Sequence, residues 1–201
     1  MNRDGTRQRG GLVLSLDRLE AVVRRDRAAG RAIVMAHGCF DLLHPGHVRH
    51  LQFAASLGDR LIVTVTADGA VCKGPGRPVV PEGERAATLA TIGCVAYVAI
   101  DTSPTAVENI RRLRPDTYVK GREYEHSRHR GFLAEKAAVE ACGGRVVFSP
   151  GDVVFSSTAL LEAMRRGGDG REPLPPGIVV PAVHSQRMKN GSGWESNPPG
   201  T

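Results

Sequence analysis

Aromatic residues are scarce: one tryptophan, three tyrosines and five phenylalanines in 201 residues. They are not interleaved with basic positions, so nothing supports a base-stacking surface for single strands, and nucleic acid is not an expected partner. The four cysteines, Cys39, Cys72, Cys94 and Cys142, include no pair at CxxC spacing. That excludes the common zinc and redox thiol motifs and leaves four reduced thiols, three of them in or beside apolar runs. No apolar run approaches the length of a membrane span, so no membrane partner is expected. Met1 to Gly10 is polar and lacks the apolar centre of a secretion signal, which makes the cytoplasm the expected location. His37, His44, His47 and His50 lie close in sequence. A zinc site takes three or four converging ligands, usually with a carboxylate or thiolate, so no metal-binding residue is assigned.

What is present is enough chain for one domain with a proper core, and a formal net charge of +6. The basic excess suits an anionic partner without naming it. Residues 1–10 read as a disordered arm, 11–166 as one folded domain and 167–201 as a disordered tail rich in Pro and Gly, in which Trp194 falls. In the domain, Leu16, Leu19, Val22 and Val23 form one apolar helical face behind a Ser15 cap, with Gly30 as the stop. Strands then alternate with helices: strands at 32–37, 60–66, 95–100, 117–119 and 145–148, helices at 45–57, 82–92, 104–113, 131–142 and 157–166. This pattern specifies an α/β fold, a single Rossmann-like doubly wound domain with a five-stranded parallel sheet and flanking helices.

The densest signal lies where the first strand turns into its helix: Gly38-Cys39-Phe40-Asp41-Leu42-Leu43-His44-Pro45-Gly46-His47. An open α/β sheet binds ligands at such a turn. Pro45 suits the first helical position. The helix start offers free N–H groups and a positive dipole end, which together make an anion site. Gly38 and Gly46 let backbone approach a phosphate closely, and His44 and His47, three residues apart, can face the same anion. Asp41 could hold magnesium through water, but fixing the turn by accepting backbone N–H bonds is the preferred role. Loops after the other strands open on the same sheet edge. One carries Asp68, Lys73 and Arg77, another Lys120 and Gly121, a third Ser156, Ser157 and Thr158.

The HxGH element within GCFDLLHPGHVRHL resembles the signature of the cytidylyl- and adenylyltransferase superfamily, and is most similar to the heptose 1-phosphate adenylyltransferase domain of bacterial ADP-heptose synthases. The resemblance runs from about Ile33 to about Met164. It implies the sheet order 3-2-1-4-5, with His44, His47 and Lys73 as catalytic residues. It implies nucleotide contacts from Gly38, Cys39, Phe40, Gly46, Lys120, Gly121, Ser156, Ser157 and Thr158. Asp41, Asp68 and Arg77 fall on the substrate side. Arg122 and Glu123 stand where the heptose enzymes more often carry glycine and aspartate.

The implied reaction joins AMP from ATP to a sugar 1-phosphate, heptose 1-phosphate foremost, with release of pyrophosphate and with Mg²⁺ accompanying the triphosphate. No kinase-like half is evident, so the resemblance implies a separate sugar kinase in the pathway; a homodimer is left open. Three other readings stand beside this one: a CTP-dependent enzyme for glycerol-3-phosphate or another small phosphate, a non-catalytic nucleotide-binding regulator, and a nucleic-acid module.

Overall fold

The computed structural model describes residues 10–150. The arm before Gly10, the helix expected at 157–166, the Pro/Gly-rich tail and the hydroxyl residues Ser156, Ser157 and Thr158 lie outside the described residues. Among the described residues are six strands: β1 (Leu12–Val13), β2 (Ile33–Gly38), β3 (Arg60–Thr66), β4 (Tyr97–Asp101), β5 (Thr117–Gly121) and β6 (Arg145–Ser149). Five α-helices accompany them: α1 (Leu16–Ala28), α2 (Pro45–Ala55), α3 (Glu82–Ala90), α4 (Val107–Leu113) and α5 (Arg130–Ala141).

The strands form one parallel sheet in the order β1-β4-β3-β2-β5-β6. The five expected strands therefore take the 3-2-1-4-5 order. The sheet nevertheless has six strands rather than five, because Leu12 and Val13 pair with Tyr97 and Val98 and extend the β4 edge. Both residues are about half exposed and the strand is two residues long. It has neither an alternating pattern nor a buried run to announce it.

The two-residue period of the strands divides the core. Val34, Ala36, Leu61, Val63 and Val65 pack with Leu51 and Ala54 of α2 and Ala86 and Leu89 of α3 on one face. Ile33, Met35, Ile62 and Tyr118 pack with α1, α4 and α5 on the other. Successive strands run outward from β2 in one direction to β3 and β4, and then in the other to β5 and β6. The crevice beyond the C-terminal ends of β2 and β5 is thus the topological switch point of the sheet.

α4 starts three residues later than expected. The Ser103 N–H donates to Asp101 Oδ1 at 2.9 Å and the Ala106 N–H to Glu135 Oε1 at 3.2 Å. Val107 is the first helical residue, and Glu135 accepts from the Ala106 N–H at the helix start, where N–H groups have no helical acceptor.

Candidate active site

β2 ends at Gly38, and the chain turns through Phe40, whose φ of +49° lies in the left-handed region that bulky residues seldom adopt. The ring of Phe40 is buried and closes over Gly38: a Cβ there would stand 3.2 Å from it. The turn delivers His44 to the N-cap of α2 and Pro45 to its first turn. One turn of helix brings the His47 ring onto the His44 ring, with centroids 3.8 Å apart and planes 24° from parallel. Phe40 lies against the other ring of the pair, 5.3 Å from His47. Both imidazoles thus meet at the helix start, where the dipole favours negative charge. Beside them a shallow hollow of about 500 Å³ is lined by Leu43, His44, Pro45, Val48, Arg49 and Gln52.

A frame of ion pairs fixes this turn to the loop after β3. Asp41 is buried; its Oδ1 accepts N–H bonds from Val79 (2.8 Å) and Val80 (3.0 Å), and its Oδ2 stands 2.6 Å from Arg77 Nε. Arg85 is also fully buried. Its guanidinium donates to the Cys39 carbonyl, to the Val80 carbonyl and to Asp68 Oδ1. Asp68 and Glu82 cap each other, the Asp68 N–H donating to Glu82 Oε2 at 2.6 Å and the Glu82 N–H to Asp68 Oδ2 at 3.2 Å. Asp41, Asp68 and Arg77, expected on the substrate side, are therefore engaged with protein partners. Lys73, on the same loop, is exposed and close enough to the turn to act electrostatically on Cys39, His44 and His47.

Lys120 and Gly121 end β5 at the switch point. Lys120 is buried, with Nζ 3.3 Å from Glu135 Oε2 and 4.3 Å from the centre of the Tyr124 ring. Glu135 also accepts a 3.0 Å bond from the Tyr118 hydroxyl. His50, one turn beyond His47, pairs through Nδ1 with Ser149 Oγ at 2.9 Å, tying α2 to the end of β6. Among the described residues no three His, Cys, Asp or Glu side chains converge as a metal site would require, and no helix is long and apolar enough to cross a membrane.

The cytidylyltransferase-like family model matches residues 35–144, more than half of the chain. The chain belongs to this family. It is 40% identical over 157 residues to the bifunctional protein HldE of Geotalea uraniireducens, a match covering 77% of this chain and 31% of that protein. It is 40% identical over 168 residues to the HldE of Photobacterium profundum, covering 83% and 34%. The chain thus spans about a third of the length of the curated relatives it matches. The crystal structure of the lipopolysaccharide core biosynthesis protein from Thermoplasma volcanium aligns with a TM-score of 0.50 at 26% identity, covering 60% of this chain and 98% of that one.

The chain is accordingly an enzyme of the nucleotidyltransferase type, and the state of its histidines bears on how it handles phosphate. Burial foremost lowers the pKa of His47 to about 3, with His44, His50 and Lys73 pushing the same way and the Leu42 backbone opposing. Burial and then Lys73 lower that of His44. Burial and then Lys120 bring His50 to about 4. The three buried imidazoles are therefore neutral at physiological pH. Of the residues expected at the site, Gly38, Cys39, Phe40, Asp41, His44, Gly46 and His47 share the turn. Lys73 and Arg77 come from the loop facing it, and Lys120 and Gly121 border the adjoining crevice. The sequence pattern missed the role of Arg85. Its partners Asp68 and Cys39 lie 17 and 46 residues away in the chain, beyond any local pattern.

Two predictions follow from this geometry. Arg85→Met removes the shared donor, leaves the Cys39 and Val80 carbonyls without it, and should destabilise the fold by about 2–4 kcal/mol in urea denaturation; a loss under about 0.5 kcal/mol would count against the frame. The second concerns pH. An unfolded chain protonates its histidines near the ordinary 6.5, whereas folded His47 and His50 resist until about 3 and 4. The unfolded state binds more protons in that interval, so stability is full above about pH 6.5 and is lost as pH falls towards 4. The urea midpoint should drop between pH 7 and pH 5, and less steeply in His50→Gln. Equal slopes in the two proteins would contradict the assignment.

Proposed function

We propose that this nucleotidyltransferase transfers AMP from ATP to a sugar 1-phosphate, with heptose 1-phosphate as the favoured acceptor, giving ADP-heptose and pyrophosphate. The observation that carries this reading is the stacked His44–His47 pair at the start of α2. The likeness to HldE proteins and to a lipopolysaccharide core biosynthesis protein supports the choice of sugar.

In the proposed reaction an oxygen of the sugar phosphate attacks the α-phosphorus of ATP. The bond from that phosphorus to the bridging oxygen of the β-phosphate breaks, and pyrophosphate leaves in line. Such transfer needs alignment and charge neutralisation more than covalent help. The His44 and His47 N–H groups donate to phosphate oxygens, and Gly38, Cys39, Phe40 and Gly46 bring backbone close to them. Lys73, exposed and mobile on its stem, offsets charge on the departing pyrophosphate. Lys120 and Gly121, beside the crevice, face the nucleotide. The Ser156, Ser157 and Thr158 hydroxyls are proposed as further phosphate contacts. Magnesium enters with ATP as part of the substrate. The Asp41 carboxylate is occupied by Arg77 and two backbone N–H groups, so it fits a structural role better than a metal-binding one. The family description favours CTP as a second reading of the nucleotide.

Pyrophosphate release from ATP and CTP, each with heptose 1-phosphate and with glycerol-3-phosphate, tests the proposal. Release is expected with ATP and heptose 1-phosphate. His47→Ala should lower turnover by about 10²–10³, the usual effect of removing one preorganised donor, with an unchanged circular dichroism spectrum. Full activity in a folded His47→Ala protein would refute the role of the pair.

A further inference from the structure

The third histidine of α2 has no role in the proposed reaction. His50 stands one turn beyond His47, about 4.5 Å further along the helix by its rise per residue. Its Nδ1 lies 2.9 Å from the Oγ of Ser149, the last residue of β6. Ser149 is buried, which fixes the ring at the C-terminal end of the sheet. The ring itself is partly exposed. Its Nε2 has no hydrogen-bond partner among the described residues, and it is not one of the buried polar atoms left unpaired, so it opens to solvent. One nitrogen is thus anchored and the other is free to meet a ligand in the crevice beyond β2 and β5.

The groups along α2 fall in an order of charge. Burial is the first cause of the lowered pKa of all three rings, but the lysine that adds to it differs: Lys73 for His44 and His47, Lys120 for His50. Lys73 therefore marks one end of the row and Lys120 the other. Lys73 is exposed and has no ion-pair partner among the described residues. Lys120 has Glu135 at 3.3 Å, which offsets its charge at close range. A nucleoside triphosphate is polarised in the same sense, with its charge concentrated in the phosphate tail and a neutral sugar at the other end. Laid along the row with the tail towards Lys73, it carries its ribose past His47 to His50. The chemistry there suits a hydroxyl. A serine hydroxyl donates or accepts, so a ring tied to Ser149 can present either an N–H or a lone pair at Nε2, and a ribose hydroxyl pairs with either.

We propose that His50, held by Ser149, is a specificity residue for the nucleotide and reads its ribose through a hydrogen bond between Nε2 and a sugar hydroxyl. This rests on the nucleotidyltransfer reading above and adds the direction in which the nucleotide lies: tail towards Lys73, nucleoside towards the ends of β5 and β6.

The test measures Kd by calorimetry on the full chain, wild type and His50→Leu, for MgATP, its 2′-deoxy and 3′-deoxy analogues and magnesium tripolyphosphate; CTP and its deoxy analogues take their place if CTP is the nucleotide that binds. Wild type should bind ATP at least about fivefold more tightly than one of the two deoxy analogues, the contribution of one hydrogen bond. In His50→Leu that preference should shrink to within about twofold, while the Kd for tripolyphosphate stays within about twofold of wild type. A preference that survives in His50→Leu, or tripolyphosphate binding weakened as much as ATP binding, would overturn the assignment and leave the transfer reading standing. If His50→Leu fails to fold, the ¹⁵N resonances of wild-type His50 decide: they should move with MgATP and stay in place with tripolyphosphate, and a His50 signal that ATP leaves unmoved would overturn the assignment. Wild-type protein that binds neither ATP nor CTP would instead remove the transferase reading, and this inference with it.

Discussion

Two imidazoles held face to face 3.8 Å apart cannot both carry charge without strong repulsion. The first turn of α2 resolves this by burying them, so that each stays neutral and keeps an N–H to donate. In the proposed reaction, positive charge for a polyphosphate comes from the helix dipole, Lys73 and Lys120. The division of labour has a catalytic rationale. In the proposed transfer, donors that stay neutral across the working pH range would keep one geometry at phosphorus, and preorganised donors are worth most where water is excluded.

That geometry depends on parts remote in sequence. The fold places α2 after β2 at the switch point, so the helix start faces an open crevice. The Asp41–Arg77 and Asp68–Arg85 pairs then lock the turn to the loop that carries Lys73. Removing one partner from the buried Asp41–Arg77 pair strands the other, so the frame resists local rearrangement even where its net contribution to stability is small. Phe40 in a left-handed conformation is a further sign that the turn is over-determined by its surroundings.

The β-branched run of β3, the Ala32 to Ala36 run and the HxGH turn were legible because each is a local pattern with a local cause. The 3-2-1-4-5 order was not: strand order depends on long-range pairing, and only the family resemblance supplied it. β1 escaped because two exposed residues carry no period. α4 starts at Val107 rather than at Pro104, and the Ala106 N–H at its start is met by Glu135, 29 residues away, a partner no local pattern shows. At the site, histidine spacing forecast the convergence of His44 and His47. The resemblance put Asp41, Asp68 and Arg77 on the substrate side, while their engagement with Val79, Val80, Glu82, Arg85 and one another appears only in three dimensions. Asp41 is the instructive case, since its preference for backbone N–H groups could be argued from the turn alone.

The most direct measurement is a titration of the protein with MgATP at pH 7, followed through the imidazole ¹⁵N resonances. His44 and His47 should both show neutral-ring shifts in the free protein and both move together as ATP saturates, while the loop histidines His126 and His129 stay in place. A protonated ring at either position, or saturation with ATP that leaves the His44 and His47 signals unmoved, would contradict the claim that a neutral histidine pair at the start of α2 holds the triphosphate.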